Sequence, residues 1–199
     1  MLIRIGSKIG AARMAARFGA THAVRIGPTA MGALKFWRLP AENILLLDIE
    51  SNKRVNPKHI STLLDFVYSL PADARLFIHC ASGMTRSAAA AIITACALEP
   101  DKSPAQHLAA MLEASPRIVP QRRMLEIADD LLGLDGALKK AGDDDWNSRL
   151  ENLEPFEVRP TVKVAGRRIQ RPSRLVGRLK RLLHLATNAS VPRQDVCDR

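Results

Sequence analysis

The 199-residue chain is poor in aromatic residues (4%), has only three cysteines, and contains no long unbroken apolar run. Each shortage excludes something. Cys80, Cys96 and Cys197 are an odd and sparse set, so a disulfide framework is not expected and a reducing compartment is. No stretch approaches the ~20 apolar residues needed to cross a bilayer. Met1 to Phe18 alternates basic and apolar residues, without the continuous apolar core of a secretory signal. A soluble, cytoplasmic protein is therefore expected. No group of His, Cys, Asp and Glu has metal-ligand spacing, and neither a metal nor another cofactor is expected. Acidic residues are also missing locally. Residues 158–194 hold ten Lys or Arg and no Asp or Glu, so the net charge of +10 belongs to that stretch. The remainder carries 20 charges of each sign and is formally neutral.

The apolar fraction, 47%, is enough for one ordinary domain with an appendage. Met1 to Ile5 reads as a strand. Ser7 is a candidate cap for a helix over Lys8 to Phe18, with Ile9, Met14 and Phe18 among its apolar residues, and Gly19 ends it. His22 to Ile26 is a second strand, Gly27 to Asn43 is irregular, and Ile44 to Leu47 is a buried-strand run ending at Asp48. Asn56 and Pro57 are suited to the cap and first position of a helix through Ser69. Arg75 to Ile78 forms a further strand, and an alanine-rich helix runs from Arg86 to Leu98. Ser103-Pro104 opens another helix, with Leu108, Met111 and Leu112 inward. Gln121 to Leu132 is a last one, broken up by Gly133 and Gly136. Short strands separated by helices imply an α/β fold with a central mixed or parallel sheet.

Between the strand at Arg75 and the helix at Arg86 lies His79-Cys80-Ala81-Ser82-Gly83-Met84-Thr85-Arg86-Ser87. A strand, a short loop and a helix start collect backbone N–H groups into an anion cradle. A cysteine at the head of that loop is pushed toward thiolate by the helix N-terminus, the amides and the Arg86 cation. Arg86 can also grip a phosphate with a planar fork. Gly83 allows the tight turn, Ser87 places a hydroxyl near the sulfur, and His79 can brace the loop backbone. Nucleophile, oxyanion cage and cation converge on one phosphoryl-sized space.

His-Cys-(x)5-Arg-Ser, with Gly third after Cys, resembles the signature loop of the cysteine-dependent protein tyrosine phosphatase superfamily. Leu2 to Gly6, a helix, and Phe18-Gly19-Ala20-Thr21-His22-Ala23-Val24 resemble the opening of its compact dual-specificity members. Ser115 to Leu125 resembles the start of the superfamily's last helix, with Gln121 in place of the usual Asn. The likeness spans roughly the first 140 residues. It implies a phosphotyrosine-phosphatase-like α/β fold and a phosphomonoester hydrolase without a cofactor. In that reading Cys80 is the nucleophile, and Arg86 and the amides of Ala81, Ser82, Gly83, Met84, Thr85 and Arg86 hold the phosphate. Ser87 assists the sulfur and His79 supports the loop. The implied general acid is Asp48, 32 positions before Cys80, which is about the offset in the dual-specificity enzymes. Glu50 is the reserve and Asp65, inside a helix pattern, a poor third. The loop carries no lysine among Ala81, Ser82, Met84 and Thr85, which points to a monophosphorylated substrate such as phosphotyrosine, with broad or dual specificity. Two other readings stay open: a non-catalytic phosphate-binding module, and a rhodanese-like sulfurtransferase. His59, His107 and Cys96 read as structural, and Phe36 or Trp37 as packed aromatics.

The expected organisation is a catalytic domain over residues 1–142, an acidic linker over 143–157 and a basic tail over 158–199. The linker begins with Asp143-Asp144-Asp145 and contains Trp146 and Phe156. In the tail, Leu175, Val176, Leu179, Leu182, Leu183 and Ala186 share one helical face, with Arg174, Arg178 and Arg181 beside it. Such a helix suits an acidic partner or an anionic membrane surface. Nucleic acid is disfavoured because no aromatic residue interleaves with the charge. The substrate itself is a phosphorylated protein or another phosphomonoester.

Overall fold

The computed structural model describes residues 1–28, 39–50 and 55–151. Phe36, Trp37, the end of the expected linker, the tail helix and Cys197 lie outside the described residues. The chain runs β1 (Leu2–Ser7), α1 (Ala11–Phe18), β2 (His22–Ile26), a 3-10 turn at Ala41–Asn43, β3 (Ile44–Leu47), α2 (Pro57–Tyr68) and β4 (Arg75–Cys80). Four helices follow: α3 (Arg86–Leu98), α4 (Pro104–Ala114), α5 (Arg122–Leu132) and α6 (Ala137–Glu151).

The four strands form one parallel sheet in the order β1-β4-β2-β3. Parallel sheets are covered on both faces, and the two central strands, β4 and β2, are accordingly buried along almost their whole length. Alternation along β4 divides its side chains. Phe77 packs with Ala11 and Ala15 of α1, whereas Leu76, Ile78 and Cys80 enter the main core with residues of α2 and α3. There α5 lies against α2 and α3, and α4 against α3. Each fully buried Ile or Leu, such as Ile78 or Ile93, contributes roughly 1.5–3 kcal/mol.

The expected helix starts hold in two places. Asn56 and His59 form a reciprocal capping box at α2, which gives His59 a structural task, and Ser103 and Gln106 form another at α4. Two boundaries differ. Ser7 ends β1 and does not cap α1: its hydroxyl donates to the Ile9 carbonyl, and the cap is Gly10 at φ 74°. Ile9 is therefore outside the helix. The second difference is α6, for residues 143–151, expected to begin a linker, are its last turns. Its start is built by Asp129 of α5, whose carboxylate accepts from the N–H groups of Gly136 (2.6 Å), Leu138 (2.6 Å) and Lys139 (3.2 Å). Leu138 and Ala141 are buried and fasten α6 to α4 and α5.

Candidate active site

β4 is an interior strand, and the loop leaving its carboxyl end sits where open parallel sheets bind ligands. The cradle is shaped by where its carbonyls go. Those of Ala81, Met84 and Thr85 accept from the N–H groups of Lys8 (3.2 Å), Val119 (3.0 Å) and Gln121 (3.3 Å), all outside the loop. In a trans peptide C=O and N–H point in opposite directions, so the amides of Ser82, Thr85 and Arg86 are turned to the inner side. Gly83 has φ 80°, and a Cβ there would lie 2.6 Å from backbone atoms of Gly6 and Ser7. Only glycine fits both the dihedral and the contact.

Cys80 is 1% exposed, and its sulfur is 3.3 Å from Ser87 Oγ and 3.3 Å from the Gly83 nitrogen, which donates to it. Burial opposes ionisation of the thiol and is the largest single influence. It is outweighed by the Ser87 hydroxyl, the amides of Ser87 and Gly83 and the Arg86 charge, so the pKa falls below the ordinary thiol value. Cys96, within α3, is also buried; desolvation, helped by the Asp129 charge and opposed by a backbone hydrogen bond, lifts it to about 11. Its side chain is buried in the main core, as a small hydrophobe would be.

Arg86 Nη1 donates to the Ile49 carbonyl, while its buried Nε has no hydrogen-bond partner among the described residues. A guanidinium held at one end with an unsatisfied buried donor at the other is suited to an oxyanion. The same bond ties Arg86 to the segment that carries the candidate acids. Ile49 is buried between exposed Asp48 and Glu50, and its N–H returns to the Leu47 carbonyl (2.9 Å), which places Asp48 at the centre of a tight turn after β3. Asp65 lies in α2 on an exposed position, away from this turn.

His79 is buried, stacks on Phe77 (ring centroids 6.1 Å apart) and is paired in register with Arg25 of β2. Desolvation brings its pKa down to about 4; hydrogen bonding with the Cys80 backbone opposes the shift and the Arg25 charge adds to it. Gln121 caps α5, its Oε1 accepting from Met124 N–H at 2.6 Å. The residues before α5 also hold the loop through Val119 and Gln121, a backbone role that side-chain reasoning does not reveal. The β1–α1 turn, tied to the loop through Lys8, was likewise missed.

Among the described residues no group of His, Cys, Asp and Glu is placed to hold a metal ion. None of the helices described is long and apolar enough to cross a membrane. A groove of about 960 Å³ runs along β1 beside α3 and α4 and contains none of the cradle residues.

Neither a protein-family model nor a curated protein sequence matches the chain. Solved structures do. The Cydia pomonella PTP-2 phosphatase superposes with a TM-score of 0.56 at 15% identity, covering 65% of this chain and 85% of its own. Human DUSP28 gives 0.51 at 17% identity, covering 73% and 94%. PTPMT1 in complex with PI(5)P gives 0.51 at 14% identity, covering 74% and 94%. The chain carries the fold of the cysteine-based protein tyrosine phosphatase superfamily in its compact, dual-specificity-like form.

Proposed function

We propose that the protein is a phosphomonoester hydrolase working through a cysteinyl-phosphate intermediate, on phosphotyrosine or with dual specificity. The observation that carries this is a buried sulfur held toward thiolate by Ser87, Gly83 and Arg86 at the floor of an amide cradle. The Cys80 thiolate attacks phosphorus and the ester P–O bond breaks. The leaving oxygen takes a proton from Asp48, with Glu50 as the reserve. Water then attacks phosphorus, giving a proton to the carboxylate as its O–P bond forms, and the S–P bond breaks to release thiolate and phosphate. The inward amides and Arg86 Nε hold the equatorial oxygens as charge develops. Ser87 stabilises the thiolate in both halves. The PTPMT1 structure contains a phosphoinositide. Here the loop offers no lysine for further phosphates, which favours a monophosphorylated substrate. The catalytic unit in this reading includes α6. A cytoplasmic site of action and a basic tail that meets an acidic partner or an anionic membrane surface rest on the sequence alone.

Hydrolysis of para-nitrophenyl phosphate across pH 5 to 8, without added metal, tests the reading. Cys80→Ser should lower turnover by about four orders of magnitude or more. Asp48→Asn should lower it by roughly 10²–10⁴, more for alkyl than for aryl phosphates. Turnover that survives Cys80→Ser refutes the mechanism. No turnover in the wild type, with phosphate still bound, makes the protein a binding module.

A further inference from the structure

Beside the cradle stands the turn joining β1 to α1, and the two are fitted closely. Lys8 N–H donates to the Ala81 carbonyl at 3.2 Å, and Gly83 lies so near Ser7 that no side chain could separate them. The turn is itself fixed by the Ser7 hydroxyl on the Ile9 carbonyl (3.0 Å) and by Gly10 at φ 74°. On this frame Ile9 is 81% exposed. It contributes nothing to the inner face of α1, which is made by Ala11, Met14, Ala15 and Phe18. Across the same seam Met84, next to Gly83 in the loop, is 44% exposed. Single exposed apolar residues are ordinary. Ile9 follows Lys8, whose N–H holds Ala81, and Met84 follows Gly83, which abuts Ser7, so each exposed apolar side chain leaves the backbone next to a contact that joins turn and loop; Ile9 is also β-branched and stiff at χ1.

We propose that Ile9, with Met84 beside it, forms an apolar lip on the cradle that grips the part of the substrate beyond the phosphate and so selects apolar leaving groups. The proposal rests on the reading of the loop as a phosphate cradle, but not on turnover. The lip desolvates only when it is covered, so a small or polar leaving group gains nothing from it. Lys8, exposed and adjacent to Ile9 in the turn, adds charge attraction common to all phosphates and no discrimination among them.

Phosphonates test this without catalysis. Phenylphosphonate and methylphosphonate share the anion and differ in the apolar group. Their affinities for the full chain are measured by calorimetry for wild type, Ile9→Ser, Ile9→Leu and Lys8→Ala. Ile9→Ser should weaken phenylphosphonate by about tenfold and leave methylphosphonate unchanged. Ile9→Leu should retain the wild-type ratio, and Lys8→Ala should weaken both ligands together. Thermal melting of Ile9→Ser should match the wild type, since the side chain is exposed. An unchanged ratio in Ile9→Ser overturns the lip, as does equal loss of both ligands or binding of neither. Failure of the hydrolase reading looks different: phosphonates bind with the predicted ratio, and no ester is turned over.

Discussion

A thiolate at Cys80 loses most of its water, and the protein replaces that water with fixed donors. Ser87 is the strongest of these, ahead of the Gly83 amide and the Arg86 charge. Removing its hydroxyl in Ser87→Ala should move the pH midpoint of Cys80 alkylation by iodoacetamide upward. Turnover at neutral pH should fall by about tenfold to a hundredfold, the worth of a hydrogen bond to a charged group. An unmoved midpoint would place the ionisation elsewhere. At this scale the sequence was informative because the chemistry is contiguous: Cys80, Gly83, Arg86 and Ser87 stand within eight positions. Asp48 was reachable only by resemblance and offset. What joins it to the loop is a bond from Arg86 to the Ile49 carbonyl, and backbone carbonyls carry no residue identity to read.

Among the elements, β2, β3, β4, α2 and α4 were legible because each has a clean period or a cap written in its side chains. The last helix was not. Asp143-Asp144-Asp145 suggests the start of an acidic linker. In the folded chain, however, Asp143 pairs with Arg122 (2.6 Å), Asp144 with Lys140 (2.9 Å) and Asp145 with Arg149 (2.9 Å). The decisive residue is distant: Asp129 is 4% exposed and supplies the acceptors that the first turn of α6 needs. Asp129→Ala would leave three N–H groups without that partner. The variant should lose about 2–3 kcal/mol, seen as a melting temperature lower by roughly 5–10 °C. Chemical denaturation that shows no loss would mean α6 is held by Leu138 and Ala141 alone. The start of α1 was misjudged for a related reason, because Ser7 spends its hydroxyl on Ile9 within the turn that braces the cradle.

For the molecule as a whole, the site is a property of the sheet. β4 passes between β1 and β2, so the loop is flanked on both sides by strand ends, and His79 below it faces Arg25 across the ladder. Protonating His79 would place a second cation in that dry layer. Its folded pKa, about 4, lies below the ordinary 6.5, so the unfolded chain takes the proton first as pH falls. Stability carried by neutral His79 is complete above pH 6.5 and is lost progressively toward pH 4, in all about 3 kcal/mol. Urea denaturation at a series of pH values should show that slope in the wild type and a flatter one in His79→Gln. Parallel slopes would show that the imidazole is not the sensor. In the proposed reaction the sheet delivers a sulfur that becomes covalently phosphorylated. Rapid acid quenching of the wild type during turnover of an aryl phosphate, followed by peptide mass spectrometry, tests it most directly. One phosphoryl group on the peptide containing Cys80, absent from Cys80→Ser, is the predicted result. Turnover without a phosphorylated Cys80, or a phosphoryl group on another residue, would contradict it.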